Sequence, residues 1–214
     1  MRLSFGNAVT IMLDTTLLLL FVPTFFAVAI TPGMCMLLAL SLGMSIGLRR
    51  TLPMMAGELL GVATVALAAV LGVAALLLTH PMLFTALKLA GGAYLIYLGV
   101  QAWRAKGGLA KTEAVTDVSR RSLMMRGFST AIANPKGWAF MVSLLPPFIN
   151  QSQPLAPQMT ALIAIILMCE FSCMCLYASG GSGLRRLLRQ DNVQILNRIS
   201  GTVMMALGVW LWMS

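Results

Sequence analysis

Two long apolar stretches of this chain are interrupted near their middle by a proline, at Thr31-Pro32-Gly33 and at Asn134-Pro135-Lys136. A proline inside a helix removes one backbone donor and deprives the carbonyl one turn back of its partner. Lipid offers nothing to that carbonyl. A membrane helix is therefore broken only where the freed groups are re-satisfied by protein or line a cavity. The two breaks occupy corresponding positions in the two halves of the chain. Paired breaks of this kind predict a helical membrane protein with its ligand site between them, the arrangement of secondary transporters.

Of the 214 residues, 59% are hydrophobic and 10% are charged. A soluble domain of this size could not hide so much apolar surface from water. The net charge of +9 would ordinarily suggest nucleic acid as a partner. Here the basic residues fall in the gaps between apolar runs, which is a membrane pattern, and nucleic-acid binding is not expected. The first apolar run continues from Leu17 to Leu42, too far for a cleavable signal peptide. Crossing ~30 Å of hydrocarbon takes about 20 residues. Six spans can be drawn on that basis: Leu17–Leu42, Leu52–Leu78, Pro81–Ala102, Phe128–Ile149, Leu155–Tyr177 and Leu196–Met213. The last is short and requires Arg198 to reach for the interface.

Lysine and arginine set the expected orientation. Arg49 and Arg50 occupy the first loop. Arg104, Lys106, Lys111, Arg120, Arg121 and Arg126 occupy the third, and Arg185, Arg186 and Arg189 the fifth. The second loop, at Thr79-His80, and the fourth, from Asn150 to Pro154, carry none. The basic loops are expected on the cytoplasmic side, which places both termini outside.

Aligning Leu87 with Leu196 brings Gly92 onto Gly201, Leu98-Gly99-Val100 onto Leu207-Gly208-Val209 and Trp103 onto Trp212. The proline breaks match between the first and fourth spans. Each half holds three spans, an odd number, so the second half must lie inverted relative to the first. The expected fold is all-α: a single polytopic transmembrane domain over residues 1–214, with six helices in two inverted three-helix repeats. The repeats cover about 17–103 and 127–213, separated by a cytoplasmic loop over 104–126. Gly92 and Gly99 share a helix face, as do Gly201 and Gly208, and Gly57 and Gly61 lie one turn apart. Such faces let helix backbones approach closely, so packing is the expected role of these glycines.

Four ionisable residues fall inside the spans: Glu58, Lys88, Lys136 and Glu170. At mid-depth in lipid each would cost about 2.5–3.5 kcal/mol, so each should face a cavity, find a partner or reach an interface. Lys136 follows the second break near mid-depth and is expected to meet substrate or a counter-ion. Lys88 lies close enough to Pro81 to snorkel outward. Glu58 is expected to line an inner vestibule or pair with a lysine. Glu170, deep in its span, is suited to taking up and releasing a proton or to pairing with a lysine, and it shares a face with Cys173 and Tyr177. The half-helix after Gly33 starts with unpaired N–H groups, a ready receptor for a carboxylate. Thr31 and Asn134 add a hydroxyl and an amide at similar depth. Cys35, Cys169, Cys173 and Cys175 are expected to be small core residues, and no metal site is expected.

Ile30-Thr31-Pro32-Gly33, Asn134-Pro135-Lys136, the run from Leu87 to Gly99, Leu196-Asn197-Arg198 leading to Gly201, and Glu170 followed by Tyr177 resemble the LysE/RhtB family of amino-acid exporters. The resemblance extends over nearly the whole chain from about Met12. It implies export of amino acids or close derivatives across the bacterial inner membrane, driven by the proton-motive force. It further implies that Thr31, Pro32, Gly33, Asn134, Pro135 and Lys136 line the pathway. Members commonly carry a second proline after Pro-Gly, where this chain has Met34. The expected partners are an amino-acid substrate, protons and lipid. No cofactor and no enzymatic activity are expected, and a homodimer is allowed. The rival readings are a divalent-cation exporter using Glu58 and Glu170, and a membrane thiol–disulfide carrier, for which Cys35 lacks a counterpart at Trp138.

Overall fold

The computed structural model of the chain describes residues 15–79, 81–105, 119–145, 148–149, 153–180 and 190–213. Every regular element among the described residues is a helix: α1 (Thr15–Ala29), α2 (Met34–Ile46), α3 (Leu48–Thr79), α4 (Pro81–Arg104), α5 (Arg120–Ile132), α6 (Pro135–Leu144), α7 (Leu155–Ala178) and α8 (Gln190–Met213). Both predicted breaks are present. Pro32 and Gly33 separate α1 from α2, which meet at 57°, and Asn134 separates α5 from α6.

Among the described residues, three helical segments are long and apolar enough to cross a membrane: Leu48–Gly72, Leu155–Ala178 and Val193–Met213. The bent pair Phe21–Ala29 and Met34–Ile46 makes a fourth candidate when taken as one span. The spans expected at Pro81–Ala102 and Phe128–Ile149 fall on α4 and on α5–α6, which are not among these candidates. The side chains of α4 are only partly described, Lys88 lying outside the described ones. The α5–α6 segment departs from expectation for a physical reason. Its helix starts at Arg120, earlier than expected, because the Ser119 hydroxyl caps it by accepting from the Ser122 N–H at 3.2 Å. Arg120, Arg121 and Arg126 therefore project, exposed, from helix and not from loop. His80, Lys106, Lys111, Asn150, Arg185, Arg186 and Arg189 lie outside the described residues.

Glycine decides the two tightest helix pairings. In the α4–α8 seam a Cβ on Gly92 would sit 2.9 Å from the Gly208 carbonyl oxygen, and one on Gly208 2.5 Å from that of Gly92. Gly99 and Gly201 oppose each other in the same reciprocal way, so the two helices run antiparallel. At one end the Trp103 Nε1 donates to the Thr202 hydroxyl at 3.0 Å, and the Arg198 guanidinium lies 5.4 Å over the Trp103 ring. At the other end the Trp212 Nε1 donates to the Leu89 carbonyl at 3.0 Å. In the α3–α5 seam, Gly57 lies against the Met124 carbonyl, Gly61 against Phe128 and Gly127 against the Met54 carbonyl. Neither seam has room for a side chain at its contact points. Such seams hold helices together by close van der Waals contact, where burial from lipid supplies little.

Between these seams, α1, α2, α6 and α7 close the core. Phe21 packs edge-on against Phe148 and Phe25 edge-on against Phe140, with centroids 4.9 and 5.4 Å apart.

Candidate functional site

The first break leaves several carbonyls at and just past the end of α1 without their helical partners, and side chains from elsewhere in the chain reach three of them. Pro32 has no N–H to give the Val28 carbonyl. The Lys136 ammonium, from the second break, donates to that oxygen at 2.9 Å. The Ile30 carbonyl would bond to Met34 in an unbroken helix. Here the Tyr177 hydroxyl of α7 donates to it at 2.7 Å. The Ala27 carbonyl loses Thr31, whose N–H turns to Val28 at 3.3 Å. The hydroxyls of Thr31 and of Ser200 on α8 lie 2.9 and 2.6 Å from it and touch each other. Satisfying these oxygens fixes the positions of α6, α7 and α8 around the break.

The second break is satisfied locally. The Asn134 N–H reaches the Ala131 carbonyl at 3.2 Å, and the Trp138 Nε1 reaches that of Ile132 at 2.8 Å. The Asn134 side chain caps α6, its Oδ1 accepting from the Lys136 N–H at 3.1 Å. The α2 helix has no such cap: Gly33 stands at its N-cap with no side chain to fold back. Of the two half-helices that start at a break, only α2 presents a first turn with no side-chain cap. Gly33 is extended, with φ at −121°, so it is the lack of a side chain there that matters. The Lys136 ammonium lies 3.9 Å from where a Cβ on Gly33 would stand.

The two breaks face one open cavity. Thr31, Gly33, Asn134 and Lys136 line it from the breaks, Glu58 from α3 and Glu170 from α7. Apolar side chains, among them Phe25, Val62, Val65 and Phe140, form the remaining wall. Glu58 is 1% exposed, and its Oε2 has no hydrogen-bond partner. Cys35 is beside both Asn134, whose Nδ2 is 3.9 Å from the thiol sulfur, and Glu58. Glu170 feels the charges of both Lys136 and Glu58.

Six residues singled out from the sequence thus meet in one cavity. Pro32 and Pro135 are not in the lining; they act on the backbone, by the donors they lack. Tyr177 braces the first break from behind. Lys88 lies on α4 with its side chain outside the described residues. Sequence reasoning did not single out Ser200, Phe25 or Phe140, nor place Cys35 in the site. Ser200 directly precedes Gly201 of the α8 seam, and that adjacency is the only sequence signal for it.

Comparison with known proteins adds identity to this geometry. A family model described as LysE type translocator matches residues 26–214. An uncharacterized membrane protein of Vibrio cholerae is 28% identical over 93% of this chain and 98% of its own length. A homoserine/homoserine lactone efflux protein of Salmonella typhi is 32% identical over 60% of this chain and 63% of its own length. A leucine efflux protein of Klebsiella pneumoniae is 29% identical over 58% of each chain. The match thus spans less than two thirds of either efflux protein. No solved structure matches the chain.

Proposed function

Because this chain belongs to the LysE type translocator family, we propose that it is a secondary transporter exporting amino acids or close derivatives from the bacterial cytoplasm. The observation that carries this reading is the cavity between the breaks, with an uncapped helix start, one lysine and two acids at its wall. A substrate carboxylate would meet the first-turn N–H groups of α2 and the Lys136 ammonium. The apolar wall suits a neutral side chain, in keeping with relatives named for leucine and homoserine efflux. Thr31 and Asn134 shape the cavity at the breaks that Pro32 and Pro135 create.

The protein is proposed to sit in the inner membrane as six spans in two inverted repeats, with its basic loops cytoplasmic and both termini outside. The charge bias supports the orientation. The reciprocal, antiparallel contacts of α4 and α8 support the repeat, since residues aligned between the halves exchange places across the seam. Transport is proposed to draw on the proton-motive force, with Glu170 as carrier, because it is the acid that faces Lys136 in the cavity. One proton crossing 100 mV releases about 2.3 kcal/mol, enough for roughly a 50-fold outward gradient of a neutral solute.

The test is efflux of a panel of radiolabelled amino acids, homoserine included, from preloaded cells with and without an uncoupler. Uncoupler-sensitive efflux of one or a few amino acids, lost in Glu170→Gln, is expected. Efflux that survives the substitution moves the proton role to Glu58. No efflux of any amino acid above background overturns the substrate class.

A further inference from the structure

Among the described residues, Glu58 is the one ionisable group with a buried oxygen that nothing satisfies. It stands on α3 at the seam with α5, where Gly127 comes so close that a Cβ there would lie 2.8 Å from the Glu58 backbone nitrogen. The seam fixes where its backbone lies. The groups around its carboxyl do not neutralise it. Glu170 is acidic, and Cys35 offers only the weak hydrogen bond of a neutral thiol. The cation at the same cavity, Lys136, has its ammonium on the Val28 carbonyl. A carboxylate removed from water with only a thiol for a partner is costly, and the cost is relieved when a cation with donors to spare arrives.

We propose that Glu58 is the receptor for the ammonium group of the substrate, making the cavity a two-ended site for an α-amino acid. The inference rests on the exporter reading above. The adjacency of the two ends follows from Cys35. Its backbone belongs to the uncapped first turn of α2, where the carboxylate binds, and its thiol lies beside Glu58. The two receptors are thus neighbours, as are the carboxylate and ammonium on a single α-carbon. Recognition of both ends leaves the side chain to the apolar wall. The site should accept amino acids that differ in the side chain and reject molecules lacking the ammonium.

The experiment is counterflow in proteoliposomes containing the full chain. The first probe is leucine against its α-hydroxy analogue, in which a hydroxyl replaces the ammonium. If leucine is not moved, the probe is whichever amino acid of the panel moves best, against its own α-hydroxy analogue. Wild type should prefer the amino acid by on the order of 100-fold, the scale of removing one partner from a buried charge pair. Glu58→Gln should bring the ratio close to one, whereas Glu58→Asp should keep a clear preference. A preference undiminished in Glu58→Gln overturns the ammonium assignment and leaves the exporter reading standing. Equal competition by the hydroxy acid in wild type also overturns it, and needs no variant to fold. If wild type moves no amino acid, the exporter reading falls and this inference with it.

Discussion

Replacing Tyr177 with phenylalanine isolates one contact at the first break. The ring is 1% exposed and stays buried in the variant, so only the hydroxyl is lost. That hydroxyl donates at 2.7 Å to the Ile30 carbonyl, which the break has deprived of its helical donor. Side-chain hydrogen bonds between membrane helices contribute about 0.6 kcal/mol on average and up to about 1.7 kcal/mol. A buried acceptor left without a donor adds a penalty of about 1–3 kcal/mol. Water entering from the open cavity would recover part of that, so the expected loss is about 1–2 kcal/mol. This lowers the folded-to-unfolded ratio by a factor of roughly 5–30. The measurement is thermal unfolding of the detergent-purified protein, with Tyr97→Phe as control. Tyr97 is exposed and its hydroxyl accepts from Gln101 on its own helix, so loss of that hydroxyl should stay within about 0.5 kcal/mol. The preference among amino acids should be the same in both variants. If Tyr177→Phe unfolds like wild type yet no longer couples export to protons, the hydroxyl is not a brace and the reasoning fails.

Three further outcomes are expected. Lys136→Met should reduce efflux to background and destabilise the fold by about 1–2 kcal/mol, because it removes the proposed carboxylate anchor and the donor to Val28 together; transport and melting of the same preparation check both. Gly127→Ala should cost about 1–3 kcal/mol, since its Cβ meets the backbone of Met54 and Glu58, while Gly72→Ala, with open space around it, should gain up to about 1 kcal/mol; chemical unfolding of the pair separates packing from helix propensity. Replacing Cys169, Cys173 and Cys175 together with alanine should leave amino-acid efflux uncoupler-sensitive, and its loss would revive the thiol-carrier reading.

The breaks were legible because proline acts through what it lacks, and that deficit is local. The second break's own repair is equally local, though the sequence reading did not draw it: Asn134 is a helix-capping residue standing directly before a proline at the first helical position. The first break could not be read as fully. Its carbonyls are met by Lys136, Tyr177 and Ser200, which are 108, 147 and 173 residues away from their acceptors. No periodicity carries that information. The start of α5 was missed for the opposite reason: Arg120 and Arg121 read as loop because they are charged, yet Ser119 suffices to start a helix there.

What the sequence determined by itself is the helical class, the two breaks, the glycine faces and the set of ionisable residues that lipid could not tolerate. All follow from the free energy of single groups in a solvent without hydrogen bonds, and each can be judged one residue at a time. Only the tertiary structure decided which glycine face meets which, that Tyr177 braces the first break, and that Glu58 is left with an unsatisfied oxygen at the cavity that Lys136 and Glu170 also line. Those outcomes depend on distances between helices far apart in the chain. Close packing fixes such distances collectively, and no single residue encodes them.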